Sequence, residues 1–292
     1  MAPQPLSQIL PTLNYWLVDH PQIRHFTWSP GQTFASTPQF AAAAVLTYLF
    51  LTLLLRRLPL PVLPPPILKP LTAAHSLVLF LLSAGMSAGT LLSIFSPTNS
   101  PSPRLRHAVC FPPDTPPSGP LFFWAQIFYL SKYLEFGDTL LIILSKSNQR
   151  LTFLHVYHHA TVVVMCYLWL STAQSLFPVA LVTNATVHVV MYGYYFCTAL
   201  GSRPRWKRLV TDFQIVQFVF SFGISGLMLY YHFAGGGCSG MAGWCFNAVF
   251  NASLLALFVD FHGKSYAAAK KRKAAAEKIG SGCDKVRDKK RQ

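Results

Sequence analysis

Apolar residues in this chain gather into long runs separated by short polar or proline-rich stretches. Runs of about 20 residues recur along the whole length, each sufficient to cross roughly 30 Å of hydrocarbon as a helix. Seven helical spans are predicted, near residues 37–55, 71–96, 121–144, 153–171, 175–199, 209–233 and 241–261. The predicted fold class is an all-α integral membrane protein, a bundle of seven transmembrane helices. Residues 1–36 form an N-terminal segment, 37–261 the helical domain and 262–292 a basic tail, read as a helical stub followed by disorder. The first connection, Arg56 to Pro70, is proline-rich, and the second, Pro97 to Pro120, is too proline-dense for a helix to persist. No internal repeat is evident, which counts against a transporter built from duplicated halves. Met1 to His20 lacks a basic stretch followed by a short apolar core, so no cleaved signal peptide is expected.

Composition supports the bilayer. Residues are 52% hydrophobic and 11% charged, and a soluble domain carries roughly twice that charge. The net charge of +15 raises the question of nucleic acid, but its distribution answers it: 11 of the 24 Lys and Arg lie between Lys264 and Arg291. With seven spans and a cytosolic C-terminus, the cytosolic side holds 20 basic residues and the opposite side 3, with Lys132 left inside a span. That asymmetry is the positive-inside pattern, and it makes the N-terminus luminal. No nucleic-acid partner is expected. The six cysteines show no CxxC spacing, so a structural zinc site is not expected. The glycosylation matches at Asn184 and Asn251 fall inside predicted spans and are read as false.

Ionisable and amide side chains are costly in hydrocarbon and are usually functional there. The third span carries Lys132, Glu135, Asp138 and Thr139; the fourth opens with His155, His158 and His159. The fifth holds Asn184, His188, Tyr192, Tyr194 and Tyr195, and the sixth opens with Thr211, Gln214 and Gln217. At about 1.5 Å per residue, all four groups fall in the cytosolic half of the bundle. Spacings of three and four residues place the members of each group on one helix face. Four polar faces at one depth predict a shared, enclosed cavity. The remaining histidines, His75 among them, are assigned mostly to the opposite face or the ends. The aromatic residues of spans one, two and seven are assigned to lipid-facing or packing surface.

The runs KYLEFGDT, HVYHHA, NATVHVVMYGYY and TDFQIVQ resemble the four signature boxes of the ELO family of very-long-chain fatty acid elongases. In words these are K-x-x-E-x-x-D-T, H-x-x-H-H, N-x-x-x-H-x-x-M-Y-x-Y-Y and T-x-x-Q-x-x-Q, here in the family order. The resemblance covers roughly residues 14–266. Gly137 and the His75-Ser76 pair depart from the usual pattern and mark a subgroup, read as plant-type. The resemblance implies an acyltransferase that condenses a long-chain acyl-CoA with malonyl-CoA to give 3-oxoacyl-CoA, CO2 and CoA. It implies no cofactor and no metal, membrane lipid as surroundings, and separate reductases and a dehydratase as partners. Self-assembly or assembly with those enzymes is left open.

On this reading the bundle encloses an acyl tunnel, with the CoA phosphates at the cytosolic rim. His158 and His188 are the candidate acyl carrier and its partner. His155 and His159 orient them or polarise the carbonyl, and Glu135 and Asp138 fix tautomers. Asn184, Gln214 and Gln217 donate hydrogen bonds to a developing oxyanion or enolate. Lys132, Thr139, Tyr192 and Tyr195 are assigned to substrate binding, with Arg203, Arg205, Lys207 and Lys264 on the CoA phosphates. Lys132, Glu135 and Asp138 also read as an internal ion pair that neutralises buried charge. The histidine spacing equally resembles metal boxes. A di-iron centre needs more histidine clusters than this bundle offers, whereas one zinc ion with three or four imidazoles fits the residue types. A seven-span receptor or transporter is the other alternative, and it would need polar groups lining an outward-facing pocket or a path through the bilayer. No cysteine lies in the four boxes, which favours histidine as the nucleophile.

Cys110 and Cys238 both fall in luminal connections, where an oxidising compartment favours a disulfide, with Cys245 as second choice for the partner. Lys289 and Lys290, third and fourth from the C-terminus, match a dilysine retrieval signal and place the protein in the endoplasmic reticulum membrane. A glycosylation acceptor inserted before Pro5 is expected to be modified in microsomes, and one inserted after Lys290 is not. The reverse pattern would invert the placement of every box.

Overall fold

The computed structural model describes residues 6–96, 104–202 and 204–264. Among these, helix dominates, and extended pairing is confined to one isolated bridge between Thr27 and Ser118. The helices of the bundle are α1 (Pro38–Arg57), α2 (Pro65–Phe95), α3 (Pro120–Leu134), α4 (Phe136–Leu144), α5 (Phe153–Ser171), α6 (Phe177–Ala199), α7 (Lys207–Ala234) and α8 (Met241–Lys264). Five of them, α1, α2, α5, α7 and α8, are long and apolar enough to cross a membrane. The others fall short for separate reasons: α3 and α4 are short, and α6 is diluted by Asn184, His188 and its tyrosines. Large apolar side chains point outward along the long helices, with Phe233 81% and Val249 73% exposed. A surface of that kind has hydrocarbon as its natural solvent.

Three expectations need correction. The third span, predicted as one helix, is two. At Glu135 the amide of Asp138 bonds back to the Glu135 carbonyl at 3.0 Å, three residues away rather than four. One turn is thereby tightened, a departure that often marks a functional site. Helix α2 begins at Pro65, inside the supposed proline-rich connection. Pro65 and Pro66 occupy its first turn, where the missing N–H groups would have had no helical partner anyway. In the second connection a short helix, Arg104–Val109, occupies the proline-free stretch between Pro103 and Pro112. Prolines also open α1, α3 and α6, so residues that signal loops from sequence act here as starts. Thr37 caps α1 by accepting from the Phe40 amide, and Thr152 caps α5 by accepting from that of His155.

Helices α2 and α6 share the most extensive contact. The buried face of α2 includes Ala73, Ser76, Ser83, Gly89, Thr90 and Ser93, small residues that let helix backbones approach closely. Aromatic rings fill the centre: Phe128 stacks on Trp169 at 5.6 Å between centroids, and Phe122 meets Phe177 at 5.1 Å. The N-terminal segment is part of this core. Ile23 and Trp28 are buried, and the Trp124 indole donates to the Leu17 carbonyl at 2.9 Å.

One end of the bundle is tied together. Cys110 and Cys238 form a disulfide across 128 residues, joining the segment before α3 to the segment before α8. Beside it the Ser239 amide bonds to the Phe111 carbonyl, and the Ser175 hydroxyl donates to the Ser239 carbonyl at 2.7 Å. The Trp28 amide bonds to the Pro117 carbonyl and the Gly119 amide to the Phe26 carbonyl, both at 2.8 Å. A cross-link over so long a loop removes much freedom from the unfolded chain. Replacing Cys110 and Cys238 by Ser is expected to cost about 2–4 kcal/mol, measured by unfolding in detergent. An unchanged transition would show the staple to be energetically idle.

Candidate active site

At the opposite end, the break between α3 and α4 gathers the polar groups. The Lys132 ammonium donates to Glu135 Oε1 at 2.7 Å, and both side chains are within 2% of complete burial. The ammonium also lies 3.9 Å from the centre of the Phe128 ring, a favourable cation–π arrangement. Lys132 is thus committed to Glu135 and Phe128, which fits the internal ion pair better than the substrate contact also assigned to it. Glu135 reaches across to α6, where His188 Nδ1 lies 3.4 Å from the same oxygen. A carboxylate at that nitrogen favours the N–H there and leaves the Nε2 lone pair free. Glu135 Oε2 and His159 Nδ1 are buried without partners.

Asp138 is held from two sides. Its Oδ1 lies 3.1 Å from His75 Nε2 on α2, and its Oδ2 accepts from the Tyr192 hydroxyl at 2.8 Å. Thr139 Oγ1 lies 3.0 Å from the Tyr48 hydroxyl and 2.8 Å from His155 Nε2. The threonine hydroxyl has one proton and two lone pairs, so it donates to at most one of these neighbours. His155 and His159 lie against each other, 4.4 Å between ring centres, and His158 is 5.0 Å from His159.

His158 faces a separate feature, a narrow slot of about 30 Å³ between α5, α6, α7 and α8. Asn184 and Gln217 line it beside His158, and the Asn184 amide donates to Gln217 Oε1 at 3.4 Å. Met165, Trp169, Phe218 and Phe250 make much of the remaining wall. Asn184 and Asn251, the two apparent glycosylation sites, both face this slot from mid-helix.

The structure therefore brings together Lys132, Glu135, Asp138, Thr139, His155, His158, His159, His188 and Tyr192, with Asn184 and Gln217 on the slot. Gln214 lies between α6 and α7, its amide 3.7 Å from Met191 Sδ. Tyr195 sits near Tyr192, and the Arg150 guanidinium lies 6.0 Å from its ring centre. Arg205, Lys207 and Lys264 are exposed at the rim and do not meet the cluster, and Lys264 pairs with Asp260 at 2.8 Å. Arg203, Lys289 and Lys290 lie outside the described residues. Among the described residues, no three His, Cys, Asp or Glu side chains converge as a set that could hold a metal ion.

One participant was misplaced from sequence, and another has two readings there. His75 belongs to the site rather than the far side. Gly137 makes room for it: a Cβ there would sit 2.7 Å from His75 Cε1. The departure from the usual pattern at Gly137 and the one at His75-Ser76 thus touch each other. Of the two places given to the aromatics of span one, lipid-facing or packing, Tyr48 takes the second: it is 5% exposed and stacks on Phe136. Its pairing with the buried Thr52 at a four-residue spacing was the available signal.

Residues 33–274 match the family described as ELO, GNS1/SUR4. A fatty acid elongase 3-like protein of Arabidopsis thaliana is 29% identical over 278 residues, 88% of this chain and 92% of the relative. A putative fatty acid elongase of Dictyostelium discoideum is 34% identical over 207 residues, 68% of this chain and 67% of the relative. The very long chain fatty acid elongase 5 of Mus musculus is 37% identical over 146 residues, 48% of this chain and 46% of the mouse protein. A helical membrane protein with a buried histidine site is the class that fold and site define. The chain belongs to the ELO (GNS1/SUR4) family.

The Lys132–Glu135 pair yields a direct test. Glu135→Gln strands a buried ammonium and is expected to destabilise by about 3–5 kcal/mol. Adding Lys132→Met should recover much of that loss, because the unpaired charge goes with it. Thermal unfolding of the single and double variants in detergent reads both effects. Purely additive losses would mean that the pair does not act as a unit.

Proposed function

We propose that this protein is a multi-pass membrane enzyme of fatty acid elongation. It joins a long-chain acyl-CoA to malonyl-CoA and releases 3-oxoacyl-CoA, CO2 and CoA. Family membership and the named relatives support elongation. The observation that carries the chemistry is His158, set in a largely apolar slot with two amides beside it and backed by the Lys132–Glu135–His188 group.

The His158 imidazole attacks the thioester carbonyl, the carbon–sulfur bond breaks, and CoA leaves as the thiol after taking a proton. His188, its Nε2 unblocked, is the partner that moves that proton. Malonyl-CoA then loses CO2, and its enolate carbon attacks the acyl-imidazole; the carbon–nitrogen bond breaks, and the departing imidazolate takes a proton from solvent through His188. Splitting the reaction lets one CoA depart before the other enters. Asn184 and Gln217 are placed to donate to the oxyanion of each step. Asp138, fixed by His75 and Tyr192, and Thr139, fixed by Tyr48, hold the histidine face in register.

An acyl chain needs more room than about 30 Å³. Substrate entry therefore requires the cytosolic part of α7 and α8 to move away from α5, and α7 is suited to this, with only Val210, Phe218 and Met228 deeply buried along its length. The cytosolic rim, with Arg205, Lys207 and Lys264, is where the CoA phosphates would be met. The oxidised Cys110–Cys238 bridge at the other end supports a luminal placement of that end. Seven crossings, a luminal N-terminus, residence in the endoplasmic reticulum and work beside reductases and a dehydratase complete the reading.

Incubating the enzyme with acyl-CoA alone is expected to release CoA and leave an acyl mass on the peptide containing His158, lost in His158→Ala. CoA release only when malonyl-CoA is present, with no trapped adduct, would replace the covalent route by histidine acting as a general base in a ternary complex.

A further inference from the structure

The slot beside His158 runs toward the tied end of the bundle, where Trp169 and Asn247 stand in its wall. Both are buried, Trp169 at 2% and Asn247 at 4% exposure. The Trp169 indole N–H and Asn247 Oδ1 are each buried without a hydrogen-bond partner. Nearer the histidine the polar groups are partnered: the Asn184 amide donates to Gln217 Oε1, and the Ser221 hydroxyl donates to the main-chain carbonyl of Gln217 at 2.9 Å. A passage for plain hydrocarbon has no use for an orphan donor and an orphan acceptor, because nothing in a methylene chain can satisfy them.

A hydroxyl offers the complement of each. It accepts from the indole N–H and donates to the amide oxygen. The slot, at about 30 Å³, is large enough for one such group. Trp169 lies eleven residues beyond His158 on α5, about 16 Å along the helix axis, which is the reach of roughly a dozen methylenes. We propose that Trp169 and Asn247 are specificity-determining residues that receive the hydroxyl of a hydroxylated acyl chain. The substrate class is then a hydroxyacyl-CoA whose hydroxyl lies about a dozen carbons from the thioester. This rests on the elongation reading above, since the acyl chain must point from His158 into the slot. A buried water is the other source of the same hydrogen bonds.

The experiment uses the full-length protein in detergent, malonyl-CoA, and saturated acyl-CoAs of one length. One is unsubstituted, and the others carry a single hydroxyl moved stepwise along the chain. The expected result is a maximum in kcat/KM with the hydroxyl about a dozen carbons from the thioester, about tenfold or more above the parent, since a site built to bond a hydroxyl discriminates against its absence. Asn247→Leu and Trp169→Phe should each bring that ratio to about one. The second keeps an aromatic ring, so the answer does not depend on a variant that packs badly. If the parent is extended as well as or better than every hydroxylated chain, the slot holds a water and the inference is overturned. If neither variant changes a preference that does exist, another part of the wall makes it, and the assignment to these two residues is overturned. Failure to extend any chain, the parent included, would instead overturn the elongation reading, and with it this inference.

Discussion

A lysine and a glutamate face each other at 2.7 Å where two helices nearly join, with almost no solvent access. Neither charge is tolerable alone inside a bundle surrounded by lipid. Their attraction fixes the point where α3 gives way to α4, and the carboxylate then orients His188 on a third helix. The tightened turn at Glu135 sets the direction in which Asp138 and Thr139 project. Those two residues recruit Tyr48, His75, His155 and Tyr192 from four other helices. One buried ion pair thus holds α3, α4 and α6 in register, and the bonds beyond it draw in α1, α2 and α5.

The rest of the fold divides its tasks between two ends. Backbone hydrogen bonds and the disulfide tie the loops at one end, while the other carries the exposed basic rim and the polar interior. Between them lies an aromatic centre in which Phe128, Trp169 and Phe177 pack, with Trp169 also forming slot wall. The chemistry proposed for His158 depends on both ends: the polar end supplies the reacting groups, and the packed centre supplies a dry path away from them.

Much of this was legible beforehand because periodicity carries it. His155, His158 and His159 share a face whatever the helix packs against, and four such faces at one depth imply a common interior. What stayed hidden were solitary polar groups on apolar helices. Tyr48 on α1 has only Thr52 one turn on to announce which way it points, and His75 on α2 lies beside, not on, the stripe of Ser76, Ser83 and Thr90. The break at Glu135 was hidden for a related reason. No proline marks it, and an i,i+3 pair such as Lys132 and Glu135 fits an unbroken helix equally well. Proline misled in the other direction, since it ends helices in their interior yet suits their first turn, as at Pro65. The rim lysines and arginines were legible only as charge, because their long side chains have no fixed partner in the site.

The staple of Cys110 to Cys238 also bears on measurement. The disulfide resists separation of the segments before α3 and α8 while the other end opens, which favours a constant depth below His158. On the proposed reading, the enzyme then gauges its product as a stopped tube gauges a rod. The chain grows by two carbons until its tip meets the floor, and further growth must compress the filler. Chain length becomes a property of the scaffold, and exchanging one floor residue for a smaller or larger one resets the gauge while the chemistry at the open end stays as it was.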